Sequence, residues 1–149
     1  MKHSETGEKI RALMEYAAQA APESIGNQFH FELIDEDEQN RVYTFRCKTE
    51  KWMANAFGTL HGGIGSLILD QAMGYAAHAL SVGGGFTPTI QMQQAYHKFF
   101  TPGETARIVV KAKSVSGTLI HMQGDMFAEA APSVLCVSAT AVYYNLKAK

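Results

Sequence analysis

Between Lys51 and Lys98 the chain carries one formally charged side chain, Asp70. A carboxylate set alone among apolar neighbours is costly to bury unless it is hydrogen-bonded or made to react. Cysteine is scarce as well. Cys47 and Cys136 stand apart in strand-like segments, which argues against a disulfide framework or a cysteine-built metal site. His78, His97 and His121 lack the spacing of ligands, so no metal is expected. Neither sign of charge dominates: 13 basic against 14 acidic residues leave a net charge of −1, no footprint for nucleic acid. No apolar run reaches membrane-spanning length without interruption, the best candidate holding Asp70, Gln71 and His78. The N-terminal stretch has no apolar core of the kind a signal peptide needs. A P-loop and a dinucleotide-binding glycine pattern are both missing. These absences lead to the expectation of a cytoplasmic protein with neither nucleic acid nor membrane as partner.

What is present suits a single domain over residues 1–149, since 46% of the residues are hydrophobic and 18% charged. Residues 5–20 read as an amphipathic helix, with Ile10, Leu13, Met14 and Ala17 at helical spacing and Ala21-Pro22 ending it. The helical segment is assigned to residues 1–22, as a flank or lid. From Gln28 the period becomes two through Phe29, Phe31 and Leu33, and Val42 to Cys47 returns as a second strand. Asp35-Glu36-Asp37-Glu38 between them reads as a solvated hairpin tip. Asn55 to Leu80 opens with small residues and runs into a long apolar helix over residues 62–80 with no proline. Strand patterns follow: Thr89 to Phe100, Ala106 to Lys113, Ile120 to Met126, and, beyond Pro132, Leu135 to Tyr143. Short connections imply antiparallel pairing. The fold class is therefore α+β, one antiparallel sheet covering one long helix, with an N-terminal helix at its flank.

The run Asn55-x-x-Gly58-Thr59-Leu60-His61-Gly62-Gly63, with Asp70 on the helix that follows, resembles the hotdog-fold acyl-CoA thioesterases of the 4-hydroxybenzoyl-CoA thioesterase superfamily. Within it the chain is most similar to the branch of the phenylacetic-acid-pathway thioesterase and thioesterase superfamily member 2. The strand order fits that fold along nearly the whole chain. The resemblance implies hydrolysis of an acyl-CoA thioester to the free acid and coenzyme A, with CoA as part of the substrate and no cofactor. It also implies a homodimer, or a tetramer built as a dimer of dimers, whose sites are shared between subunits.

Thioester hydrolysis needs a base or nucleophile and donors for the developing oxyanion. A helix starting near Gly62 offers backbone N–H groups with no intrahelical partner. The resemblance makes the Gly62 N–H an oxyanion donor and Asp70 either the general base for water or a nucleophile forming a mixed anhydride. It places Asn55 beside the water or the carboxylate, and His61 at the site without fixing it as acid or base. Gly63 and Thr89 are assigned to substrate binding, with Thr87 a competitor for the position of Thr89. Lys98, Arg107, Lys111 and Lys113 are candidate partners for the CoA phosphates. Two other readings compete: an acyl-CoA-binding module that does not hydrolyse, and a hydratase or dehydratase on the same fold. The acyl group is left open among aryl-acetyl, hydroxylated aromatic and medium-chain types.

Overall fold

A computed structural model describes residues 3–83 and 85–146. Helix α1 spans Glu5–Ala20. The strands are β1 (Glu32–Asp37), β2 (Val42–Lys48), β3 (Thr89–Tyr96), β4 (Thr105–Val115), β5 (Leu119–Ala128) and β6 (Ala131–Tyr144), and helix α2 (Gly62–Leu80) stands between β2 and β3. Among the described residues the six strands form one sheet in the order β1-β2-β4-β5-β6-β3, and every pair is antiparallel. This is the hotdog architecture, with α2 lying across the concave face against β3, β4, β5 and β6. No described helix is long and apolar enough to cross a membrane.

The core follows from the period-two pattern of the strands. Tyr43 and Phe45 on β2, Ile108 and Val110 on β4, Met122 and Met126 on β5 and Ala139, Ala141 and Tyr143 on β6 are all buried. They meet Ile68, Leu69, Ala72, Met73 and Ala76 of α2. Gly124 on β5 makes this close approach possible, because a Cβ there would sit 3.1 Å from Leu69 and 3.2 Å from Met73. The far edge strand behaves differently. Seven of the eight β3 residues are exposed, and only Met92 is partly covered.

Three sequence expectations shift in detail. Residues 25–29 form a short 3₁₀ turn instead of starting a strand, because His30 takes a left-handed conformation (φ 50°) that breaks the extended run, and β1 begins at Glu32. Pro132 opens β6 as its second residue and does not precede it, a position where a missing N–H is tolerated. The acidic run is only partly a solvated tip. Glu36 accepts from the Ser4 N–H and from Arg11 (3.0 Å), and Glu38 accepts from Thr6 and Tyr43, so the two carboxylates dock the N-terminal turn of α1. That turn carries unpaired N–H groups and a positive dipole end, which favours carboxylates there. With its N-terminus fixed, α1 lies along α2 and β1.

Candidate active site

Residues 53–61 bring the chain to the start of α2 in a tight, self-supported loop. Asn55 Oδ1 accepts from the backbone N–H of Phe57 (2.9 Å) and Thr59 (3.2 Å), while its Nδ2 donates to Thr59 Oγ1 (2.8 Å). Gly58 holds φ at 81°, a conformation that favours glycine. The N–H groups of Leu60 and His61 then bond the carbonyls of Phe100 and Met53, which fixes where α2 begins.

His61 caps that helix. Its Nδ1 accepts from the Gly63 N–H at 2.9 Å. The lone pair on Nδ1 is thereby occupied, which places the ring proton of a neutral imidazole on Nε2 and leaves the ring a donor. The Gly63 N–H is committed to this cap, and Gly63 itself lines a small recess with Trp52, Met53 and Ile64. The Gly62 N–H has no acceptor among the described residues. It stands at the positive end of the α2 dipole, an arrangement suited to an oxyanion.

Asn55, His61 and Gly62 share a cavity of about 590 Å³ with Thr59, Tyr96 and Lys98. Tyr96, at the end of β3, donates its hydroxyl to the Gly62 carbonyl at 2.6 Å and stands 2.9 Å from Ser66 Oγ. Of the four cationic candidates for the CoA phosphates, Lys98 alone lines this cavity.

Asp70 lies elsewhere. It is two turns further along α2, about 12 Å by the helical rise, and lines a second cavity of about 600 Å³. Its Oδ1 accepts from Thr89 Oγ1 at 2.8 Å and from the Tyr143 hydroxyl at 2.8 Å. Its Oδ2 has no partner among the described residues. Thr89 is thus the hydroxyl beside Asp70, whereas Thr87 stands 3.3 Å from His78 Nδ1. Burial, reinforced by the Asp70 carboxylate, pushes the Tyr143 phenol far above its ordinary range, so it remains a donor. In one chain, then, the predicted residues form two groups: Asn55, His61 and Gly62 at one cavity, Asp70 and Thr89 at the other.

Tyr143, Tyr96 and Ser66 escaped the sequence reading. Tyr143 falls in the inward register of β6 after Ala139 and Ala141. A buried phenol needs a partner for its hydroxyl, which was the one available signal.

Residues 57–134 match the family model described as "Thioesterase superfamily". No curated protein matches the chain significantly. Among solved structures, mouse thioesterase superfamily member 2 aligns with a TM-score of 0.75 at 17% identity, covering 97% of this chain and 100% of that one. The PaaI protein of the Escherichia coli phenylacetic acid degradation operon aligns with a TM-score of 0.76 at 13% identity, over 97% of this chain and 96% of that one. A Streptococcus mutans protein bound to acetyl CoA aligns with a TM-score of 0.67 at 18% identity, over 80% of this chain and 90% of that one.

Proposed function

The chain belongs to the thioesterase superfamily, and from that premise we propose that it hydrolyses an acyl-CoA thioester at a site shared between two copies. The observation that carries the reading is the state of Asp70. One carboxylate oxygen is held by two hydroxyls, and the other faces a cavity without a partner among the described residues. A carboxylate held in this way is oriented but not consumed, as a base or nucleophile must be.

In the general-base route, Asp70 takes a proton from water as the water oxygen bonds the thioester carbon. The carbonyl oxygen gains charge and is met by the Gly62 N–H. The C–S bond then breaks, and the CoA sulfur leaves as thiolate or takes the proton. In the nucleophilic route, Asp70 displaces the thiolate itself and water later cleaves the mixed anhydride. Asn55 keeps one amide hydrogen beyond its bonds to Phe57 and Thr59, with which it would hold the water, and the His61 Nε2–H would donate to the thioester region. Lys98, which lines the same cavity as the turn, would meet a CoA phosphate.

The 12 Å or so between Gly62 and Asp70 within one chain is too long for one thioester carbonyl to reach both. Two antiparallel copies of α2 would bring Asp70 of one protomer to the Gly62 turn of its partner. The exposed edge strand β3, with open backbone on one side and Ile90 and Tyr96 exposed, supports such pairing. Thiol release from a panel of acyl-CoAs, followed with a thiol-reactive dye, tests the activity. Asp70→Asn is expected to lower turnover by roughly a hundredfold or more while the protein stays folded. Near wild-type turnover in that variant would refute the role given to Asp70.

A further inference from the structure

A helix N-terminus is short of acceptors, because its first N–H groups have no partner inside the helix, whereas its first carbonyls already receive an N–H from the next turn. The Gly62 carbonyl nevertheless collects hydroxyls. Tyr96 donates to it at 2.6 Å, and Ser66 Oγ stands 3.1 Å away. A serine hydroxyl bonded to the carbonyl four residues back is ordinary in a helix. A phenol brought in from the last residue of β3 is not. The Tyr96 ring is seated on the first turn of α2, where a Cβ at Gly62 would stand 3.4 Å from its hydroxyl and one at Gly65 would stand 3.7 Å from the ring.

The consequence follows from the amide to which that carbonyl belongs. The Gly62 C=O and the Gly63 N–H are two ends of one peptide unit, and that N–H donates to His61 Nδ1 at 2.9 Å. The single Tyr96 proton is spent on the carbonyl, so the Ser66 hydroxyl, 2.9 Å from the phenol oxygen, is free to donate to Tyr96. The bonds then run in one direction: Ser66 to Tyr96, Tyr96 to the Gly62 carbonyl, and the Gly63 N–H to His61 Nδ1. Hydrogen bonds aligned in this way polarise and strengthen one another. The Gly62 N–H lies outside the series. It belongs to the preceding amide, whose carbonyl, that of His61, accepts from the Ile64 and Gly65 N–H groups.

We propose that Tyr96 is a positioning residue which, through the Gly62–Gly63 amide, holds the His61 ring in place with its proton on Nε2. The inference rests on the thioesterase reading. It adds the group that sets one of the two donors toward the thioester and leaves the oxyanion donor untouched. Without the phenol, the Gly63 N–H donates more weakly. The ring then gains freedom to turn, or to carry its proton on Nδ1, where it would face the Gly63 N–H donor to donor.

A double-mutant cycle in steady-state kinetics on the best acyl-CoA tests this. Tyr96→Phe keeps the ring and deletes the donor. Its kcat is expected to fall roughly fivefold, the effect of one neutral hydrogen bond, with KM little changed. In a His61→Ala background the same change is expected to alter kcat by less than about twofold, because the series of bonds has lost its end. A Tyr96 that only supports the fold, or that meets the substrate itself, would lower kcat by the same factor in both backgrounds. Equal factors, or wild-type kcat in Tyr96→Phe, overturn the proposal. The second readout needs no turnover. In isotope-labelled protein, Tyr96→Phe is expected to shift the Gly63 amide resonance and to speed its hydrogen exchange roughly fivefold. The amides of Leu60 and His61, bonded to the carbonyls of Phe100 and Met53, serve as controls and should stay as in the wild type. An unchanged Gly63 amide, or all three moving together, refutes the proposal. If the wild type hydrolyses no acyl-CoA, the thioesterase reading is what fails, and the amide readout decides the role of Tyr96 by itself. Should Tyr96→Phe fail to fold, Ser66→Ala interrupts the same series at its head. It is expected to move both readouts in the same direction by a smaller factor, and no movement in either overturns the proposal.

Discussion

Two hydroxyls converge on one oxygen of Asp70, and they differ in kind. Thr89 sits on an exposed edge strand, whereas the Tyr143 phenol is buried in β6 and also donates to the Asp70 carbonyl (3.0 Å). Removing the buried donor is therefore the sharper test. Tyr143→Phe keeps the ring and deletes a bond to a charged group, worth about 1.5–3 kcal/mol. Turnover should fall by roughly tenfold to a hundredfold with KM little changed, and steady-state kinetics on the best acyl-CoA checks it. His78 gives a test in pH. Its pKa is lowered from 6.5 by burial in the folded state, so the unfolded chain binds the proton more readily. The associated stability is present above about pH 6.5 and is lost as pH falls through the lower folded value. Between about pH 7.5 and about pH 5.5 the melting temperature of the wild type should drop further than that of His78→Gln. Asp70 was legible in the sequence because it is a lone charge in an apolar stretch. Tyr143 was not, because an inward aromatic on a strand looks the same whether it only packs or also donates.

Elements built on strong periodicity were read closely: α1 at residues 5–20 and α2 at 62–80 appear as Glu5–Ala20 and Gly62–Leu80. Element ends set by local backbone were read less well. The 3₁₀ turn before β1 depends on a left-handed His30, and beyond the end of β3 at Tyr96 the N–H groups of His97 and Lys98 both turn to the Cys136 carbonyl, neither of which a hydrophobic pattern encodes. The sheet–helix layer makes a paired prediction from two glycines. Gly124→Ala forces a Cβ to within 3.1 Å of Leu69 and 3.2 Å of Met73. Overpacking of this kind costs about 1–3 kcal/mol, with the flexible Met73 favouring the lower end. Gly74→Ala meets only ordinary contact and should instead stabilise by about 0.4–1 kcal/mol. Denaturant midpoints with unchanged slopes would show both signs.

At the level of the whole molecule, the separation of Gly62 from Asp70 is tested by mixing two defective proteins. Gly62→Pro deletes the proposed oxyanion donor at a helix position that tolerates proline. Losing one such donor costs about 2.7–4 kcal/mol in the transition state. Each homo-oligomer, Gly62→Pro or Asp70→Asn, should be nearly inactive. A heterodimer would hold one site with both defects and one with none, so dissociation and reassociation should restore up to about half the activity. Native mass spectrometry establishes that heterodimers form, and absence of rescue in their presence would refute the shared site. A monomer that retains activity at micromolar concentration in light scattering would refute it equally.

Because Gly62 and Asp70 ride on one uninterrupted helix, α2 acts as a ruler between the two groups of candidate site residues. Substituting a residue between them changes packing alone. Inserting one rotates every later side chain by about 100° and carries it about 1.5 Å along the axis. Asp70 would then turn away from both Thr89 and Tyr143, and Gly74 and His78, which line the same cavity, would turn with it. The eight-residue step from Gly62 to Asp70 is thus closed to insertions and deletions, whereas the Gly83 loop beyond the helix can change length without moving the ruler.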